Sequence, residues 1–266
     1  MPRVSNPGLM LVLSDVHYAL EPLRRIAATG ETLLILGDLV NLTDYRTGEG
    51  AVAEVLGLEF SRASALARGD GDYGRMRALW LEQVGDRIDE IRAAIGAAID
   101  AQYEKIAEAL EGGNGYVIHG NVDRPQSLRT SLPAGFEYVH GEARDIAGVR
   151  FGFVGGGAAT PLQAEGEVTE EVLEELLGQI GPVDVLCTHV PPALGPLRTD
   201  VVTGRAERGS TPILEYLESN RPRLHLFGDV HQPQASRWRV GRTMCVNVGY
   251  FRATERPLRL DPTWLE

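Results

Sequence analysis

The strongest constraint in this chain is a series of short apolar runs, rich in β-branched residues and bounded by turn formers, at 9–13, 32–36, 116–118, 149–154, 183–187, 224–227 and 244–248. Runs of this length without polar alternation fit strands buried on both faces, so the sheet they build must be covered on each side. Helical patterns at 21–29, 169–179 and 211–219 separate several of them. Strand–helix alternation of this kind predicts an α/β architecture. Hydrophobic residues make up 43% of the 266 and charged residues 24%, enough to fill such a core. Disorder, a collagen repeat and a coiled-coil rod are thereby excluded as readings of the whole chain.

Residues 43–113 break the alternation. From Met76 the apolar residues fall at Trp80, Val84, Ile88, Ile91, Ile95, Ile99, Tyr103, Ile106 and Leu110, always three or four apart. This spacing predicts one amphipathic helix, or two broken near Gly85 or Gly96. The stretch 67–74, with its Gly-Asp-Gly-Asp core, reads as a loop ahead of it. The expectation is a single domain, 1–266, carrying 43–113 as a helical insertion that serves as a flap or a dimerisation element.

The chemistry sits just after the apolar runs. The first leads into Ser14-Asp15-Val16-His17, the second into Gly37-Asp38-Leu39-Val40-Asn41, and the third into His119-Gly120-Asn121-Val122-Asp123. The run at 183–187 leads into Thr188-His189, and 224–227 into Gly228-Asp229-Val230-His231. Ligands of open α/β sheets bind outside the carboxyl ends of strands. Each Asp-x-His or Gly-Asp alone is an ordinary turn; their joint appearance at successive strand ends points to one rim. Carboxylates, imidazoles and an amide oxygen together suit borderline-to-hard divalent metals such as Mn, Fe or Zn, and match a cysteine-rich structural zinc site poorly.

The series Asp15-x-His17, Gly37-Asp38-x-x-Asn41, Gly120-Asn121-x-Asp123, His189 and Gly228-x-x-His231 resembles the calcineurin-like metallophosphoesterase superfamily. The resemblance runs from the first strand to about Tyr250, without 43–113. It implies a four-layer sandwich, two mixed β-sheets flanked by helices, with two metals at the strand ends. By the same resemblance the first metal takes Asp15, His17, Asp38 and His231, and the second takes Asp38 as bridge with Asn121, His189 and Asp229. Mn or Fe is expected in these positions, with Zn or Mg as alternatives. Asp38, Asn121 and Asp123 become the catalytic set, and Asn41 and His119 stand behind the ligands.

The pattern departs from the family at three positions. Val122 stands where a leaving-group histidine is usual, as in a phosphodiesterase branch that carries a small cysteine there. Asp229 replaces a histidine, and Asn41 an aspartate. The Asp229 exchange matters electrostatically: Asp15, Asp38, Asp229 and one hydroxide balance two divalent cations, whereas a histidine would leave the site positive. A positive site favours a monoester dianion, and a neutral one withdraws that advantage, which leans the expectation toward a diester monoanion. The expected activity is therefore a phosphodiesterase using a metal-bridging hydroxide. The alternatives are a phosphomonoesterase or protein phosphatase, or a non-catalytic binding scaffold that keeps the fold.

Other features narrow the picture. Gly155-Gly156-Gly157 lacks the Lys of a P-loop, no Gly-x-Ser-x-Gly is present, and His140 and His225 read as packed or surface residues. Cys187 and Cys245 lie in apolar runs, as buried thiols of a reduced compartment do. No apolar stretch reaches bilayer length and no signal-peptide core is evident, so a cytoplasmic protein without a membrane partner is expected. The formal net charge of −11 disfavours long nucleic acid. A phosphate ester of unspecified identity is the expected substrate. Arg46, Arg124, Arg205 and Arg208 are candidate phosphate contacts, and a homodimer through 43–113 is the candidate assembly.

Overall fold

The structure, a computed structural model, describes residues 9–160, 164–202, 204–261 and 264. The chain divides into two compact units, one formed by 1–39 with 107–266, the other by Val40–Ile106.

Among the described residues the first unit holds thirteen strands: β1 Met10–Leu13, β2 Thr32–Leu36, β3 Asn114–Ile118, β4 Phe136–Tyr138, β5 Glu142–Ile146, β6 Val149–Val154, β7 Gly157–Ala158, β8 Glu167–Val168, β9 Val185–Thr188, β10 Leu224–Phe227, β11 Arg237–Val240, β12 Thr243–Asn247 and β13 Leu258–Leu260. One sheet runs β13-β1-β2-β3-β4, the other β11-β12-β10-β9-β6-β5. In each the centre is parallel, and β13, β11 and β5 pair antiparallel at the edges. Both sheets are therefore mixed.

Every second residue of the central strands enters a common core. Met10, Val12, Leu34, Leu36 and Ile118 from one sheet pack with Phe151, Phe153, Val185, Cys187, Leu224, Leu226 and Val246 from the other. The period of two is that of strand side chains, and it joins the sheets face to face. The intervening residues Val154, Leu186, Phe227 and Cys245 turn outward to meet Leu173 and Leu177 of the helix Glu170–Ile180, and Ile213 and Leu217 of the helix Thr211–Asn220. On the outer side of the first sheet Leu33, Ile35 and Val117 are fully buried, as is Leu23 of the helix Leu20–Ala27. Two large mixed sheets flanked by helices make this the calcineurin-like sandwich. Both cysteines are free and buried, and burial pushes both thiols up, Cys245 to about 12.

The second unit is helical, with helices at Ala51–Leu56, Leu58–Gly69 and Tyr73–Val84 and the start of a long one at Ile88–Leu110. The apolar stripe breaks at Gly85, whose φ is +52°, while Gly96 lies inside the continuous helix. The loop expected at 67–74 is shorter: the preceding helix runs to Gly69, and Asp72 caps the next by accepting from the Arg75 amide at 2.9 Å. Trp80 donates to Ser64 at 2.8 Å and meets Phe60 edge to face, tying these two helices together. Asn41 belongs to this unit. Its backbone amide donates to Gln102 at 2.7 Å, and its side-chain amide donates to the Glu49 carbonyl at 3.2 Å. Among the described residues no helix is long and apolar enough to cross a membrane.

Candidate metal centre

The parallel strands deliver the strand-end residues to one rim, and the backbone there is unusual. Asp15, His17, Asp38 and Asp229 all adopt left-handed φ, at 57°, 41°, 53° and 65°. A non-glycine residue in this region costs of the order of 1–3 kcal/mol and persists only where surrounding structure holds it. Four such residues on three separate strand ends concentrate backbone strain at this rim.

Glycine makes the close approach possible at two positions. A Cβ on Gly120 would fall 2.1 Å from Asp38 Oδ1, and one on Gly228 would fall 2.6 Å from Asp15 Oδ2. With no side chain at either, the loops close on the carboxylates. The Val122 amide donates to Asp38 Oδ1 at 3.1 Å, and the Asp229 amide to Asp15 Oδ2 at 3.2 Å. Asp123 turns inward, its two oxygens accepting from Gly120 at 2.8 Å and Leu39 at 3.0 Å. Its carboxylate pins two loops to one another.

The side chains converge in two groups. In one, Asp15, His17 and His231 bring their ligand atoms within 4.8 Å of one another; in the other, Asp15, Asp38 and His189 do. The Nε2 atoms of His17 and His231 face each other at 3.3 Å, and His231 Nε2 lies 3.5 Å from Asp15 Oδ1. That Asp15 oxygen is buried and, among the described residues, has no hydrogen-bond partner. The two oxygens of Asp38 face different imidazoles, Oδ2 toward His17 at 3.7 Å and Oδ1 toward His189 at 3.5 Å. His189 Nε2 also meets Asn121 Oδ1 at 3.1 Å and Asp229 Oδ1 at 3.8 Å. Its Nδ1 donates to the Leu36 carbonyl at 2.7 Å, which fixes the tautomer that leaves Nε2 for a ligand.

Burial and mutual contact move these groups away from their ordinary titration ranges. Burial, with Asp123 and Asp15 nearby, pushes Asp38 up to about 7 despite the pull of His189. Burial likewise lifts Asp229 to about 6. His189, which burial alone would deprotonate, is held up at about 9 by Asp38, Asp229 and Asp15. Burial would raise Asp15 too, but His231, His189 and His17 outweigh it and bring it down to about 2. An orphaned carboxylate oxygen beside two facing imidazole nitrogens suits a metal.

His119 stands aside from these groups. Its Nδ1 meets the Tyr138 hydroxyl at 2.9 Å, its ring lies 4.7 Å from His140, and burial drives it down to about 3. His225 is fully buried against the Thr188 hydroxyl at 2.9 Å and stacks on Phe227. Two further supports lie outside every motif read from the sequence. Asn247 donates to the carbonyls of Gly228 and Val230, bracing the loop that carries Asp229 and His231. Tyr250 stacks on His231. Asn247 sits inside an apolar run, and Tyr250 carries no metal-ligand chemistry, so neither gave a signal. Arg124 pairs with Glu165 at 3.0 Å, and Arg208 donates to the Ala159 carbonyl at 2.6 Å.

The fold and rim together define a calcineurin-like sandwich with a candidate metal centre at its strand ends. No family model matches the chain, and no curated protein matches it. Solved structures do. One crystal structure shares 19% identity, covering 98% of this chain and 97% of its own length with a TM-score of 0.63. The protein TT1561 of Thermus thermophilus shares 14%, covering 96% and 99%, with a TM-score of 0.52. At such identities the likeness is one of fold.

Proposed function

We propose that the protein is a metal-dependent phosphohydrolase acting on phosphodiesters. In this reading Asp15, His17, Asp38 and His231 hold one cation, and Asp38, Asn121, His189 and Asp229 hold a second. The observation that carries it is Asp38, whose two oxygens face imidazoles of different groups from a buried position. Bound there, two divalent ions, Mn or Fe before Zn or Mg, would supply an activated water near neutral pH and neutralise charge on the phosphoryl oxygens. The chain's own part is to fix the ligands. Leu36 sets the His189 tautomer, Asp123 locks the loops around Asp38, and the left-handed turns aim the carboxylates.

Asp229 carries the preference for diesters. With three carboxylates the loaded site is near neutral, and exchanging one for an imidazole adds a positive charge close to the phosphoryl group. Asp229→His should therefore raise the rate on p-nitrophenyl phosphate relative to bis(p-nitrophenyl) phosphate. The pair of substrates, assayed with metal content measured on the same samples, tests the whole reading. Bound metal with no turnover of either substrate would favour the binding scaffold. An unchanged substrate ratio in Asp229→His would remove Asp229 from the site.

Metal uptake should depend on pH in a particular window. In the metal-free fold Asp229, Asp38 and His189 hold protons up to about 6, 7 and 9. Each must be lost before the atom can bind a cation, so binding releases protons and affinity rises with pH. Calorimetric titration with Mn(II) in buffers of different ionisation enthalpy should show proton release, and affinity climbing between about pH 6 and 9. Affinity flat across that range would mean that these groups do not bind the ion.

A further inference from the structure

We infer that Tyr250 is the positioning residue for His231 and so sets the metal affinity of the group formed by Asp15, His17 and His231. The inference rests on the metal-holding role proposed above. A ligating histidine is normally oriented by a hydrogen bond from its other ring nitrogen to a carbonyl or carboxylate. His189 has that bond, through Nδ1 to Leu36. His231 lacks it: among the described residues, nothing takes its Nδ1. Its side chain is also 30% exposed, so packing alone does not fix the ring.

What His231 has instead is Tyr250. The two rings lie face to face, centroids 3.8 Å apart and planes within 2°. His17 meets the same tyrosine edge-on at 5.8 Å, and meets His231 edge-on at 5.3 Å. The tyrosine is itself anchored to the strand end that supplies the other ligands. A bridge joins Tyr250 to Ser14, the Phe251 amide donates to the Ser14 carbonyl and the Arg252 amide to that of Asp15, both at 3.1 Å. The Arg252 guanidinium donates to the His17 carbonyl. One short segment, 250–252, therefore holds the backbone of Asp15 and His17 and the ring plane of His231. A flat ring stacked on His231 holds it to one plane, the plane in which Nε2 faces Asp15 and His17.

The test is a two-site calorimetric titration with Mn(II) alone on wild type, Tyr250→Phe, Tyr250→Leu and Tyr250→Met, each with its thermal melt. Phe keeps the plane and should bind as wild type does. Leu and Met fill the volume without the plane, Met serving if the Leu variant fails to fold. Each should lose affinity at one site by about tenfold or more, the scale typical of removing a support behind a ligand, while the other site is unchanged. Wild-type binding in Leu and Met would overturn the inference, as would equal weakening at both sites. A wild-type protein that binds no Mn(II) would sink the metal reading, and this inference with it; failure confined to the variants leaves that reading standing.

Discussion

Asp38→Asn should lower hydrolysis of bis(p-nitrophenyl) phosphate by roughly a thousandfold or more and remove most of the bound metal. Loss of Asp38 should touch both proposed cations at once, since its oxygens face His17 and His189 separately. Metal ions contribute several kcal/mol of charge stabilisation in such reactions, and about 4 kcal/mol corresponds to roughly a thousandfold. An asparagine amide offers one oxygen and no charge, so it cannot serve two cations. The fold should survive. The Val122 amide that now donates to Asp38 Oδ1 can donate to the asparagine oxygen, and the substitution removes a carboxylate that burial and Asp15 already disfavour. Circular dichroism melts of the metal-free proteins would establish this. Metal analysis and the diester assay then decide: wild-type rate with wild-type metal content in the variant would end the binuclear reading.

How much of this could be read from the sequence depended on what each residue buries. The strands Thr32–Leu36, Val149–Val154 and Leu224–Phe227 have the bounds their apolar runs predict, because central strands covered on both faces admit no polar alternation. The edge strands gave no such signal. Glu142–Ile146 reads Glu-Ala-Arg-Asp-Ile and Arg237–Val240 reads Arg-Trp-Arg-Val, since an edge faces solvent and carries charge. The helix Leu58–Gly69 was hidden for another reason. Its buried positions are Ser61, Ser64, Ala65 and Ala67, small residues that form no apolar stripe. Residues 76–110 showed the opposite: the stripe was plain, and only the choice of Gly85 over Gly96 as the break needed the backbone, because either glycine permits it.

The convergence at the rim was legible because Asp, His and Asn follow one apolar run after another. The structure brings Asp15, His17, Asp38, Asn121, His189, Asp229 and His231 within hydrogen-bonding or ion-pair distance of one another in chains of contact. The left-handed φ at four of them was not legible, since nothing in Asp-x-His or Gly-Asp demands it. Nor were Asn247 and Tyr250, which act through backbone carbonyls and a ring plane. Asn41 and Asp123 have contacts that no motif announces. Both belong to motifs, yet Asp123 spends both oxygens on backbone amides, and Asn41 is engaged with Gln102 and Glu49 in the helical unit.

Val122→His should accelerate hydrolysis of an alkyl phosphodiester by about a hundredfold or more while changing an aryl diester little. Valine offers no proton to a leaving group, and positioned general-acid catalysis is typically worth about 10²–10⁴-fold. An aryl oxide leaves without help; an alkoxide does not. The wild-type protein should accordingly discriminate strongly against alkyl esters, and a donor installed at position 122 should close that gap. His119 is the residue that could already fill the role, lying between the strand Asn114–Ile118 and Asn121. Its environment argues otherwise. Burial holds it neutral down to about 3, its Nδ1 is engaged with the Tyr138 hydroxyl, and His140 lies against its ring. A neutral, enclosed imidazole is a weak acid at the pH of reaction, so His119→Ala should harm alkyl and aryl substrates alike, through packing. The deciding measurement is kcat/KM on methyl p-nitrophenyl and dialkyl phosphodiesters for wild type, Val122→His and His119→Ala. Equal acceleration of both substrates by Val122→His, with selective loss of the alkyl reaction in His119→Ala, would show that the proton comes from His119.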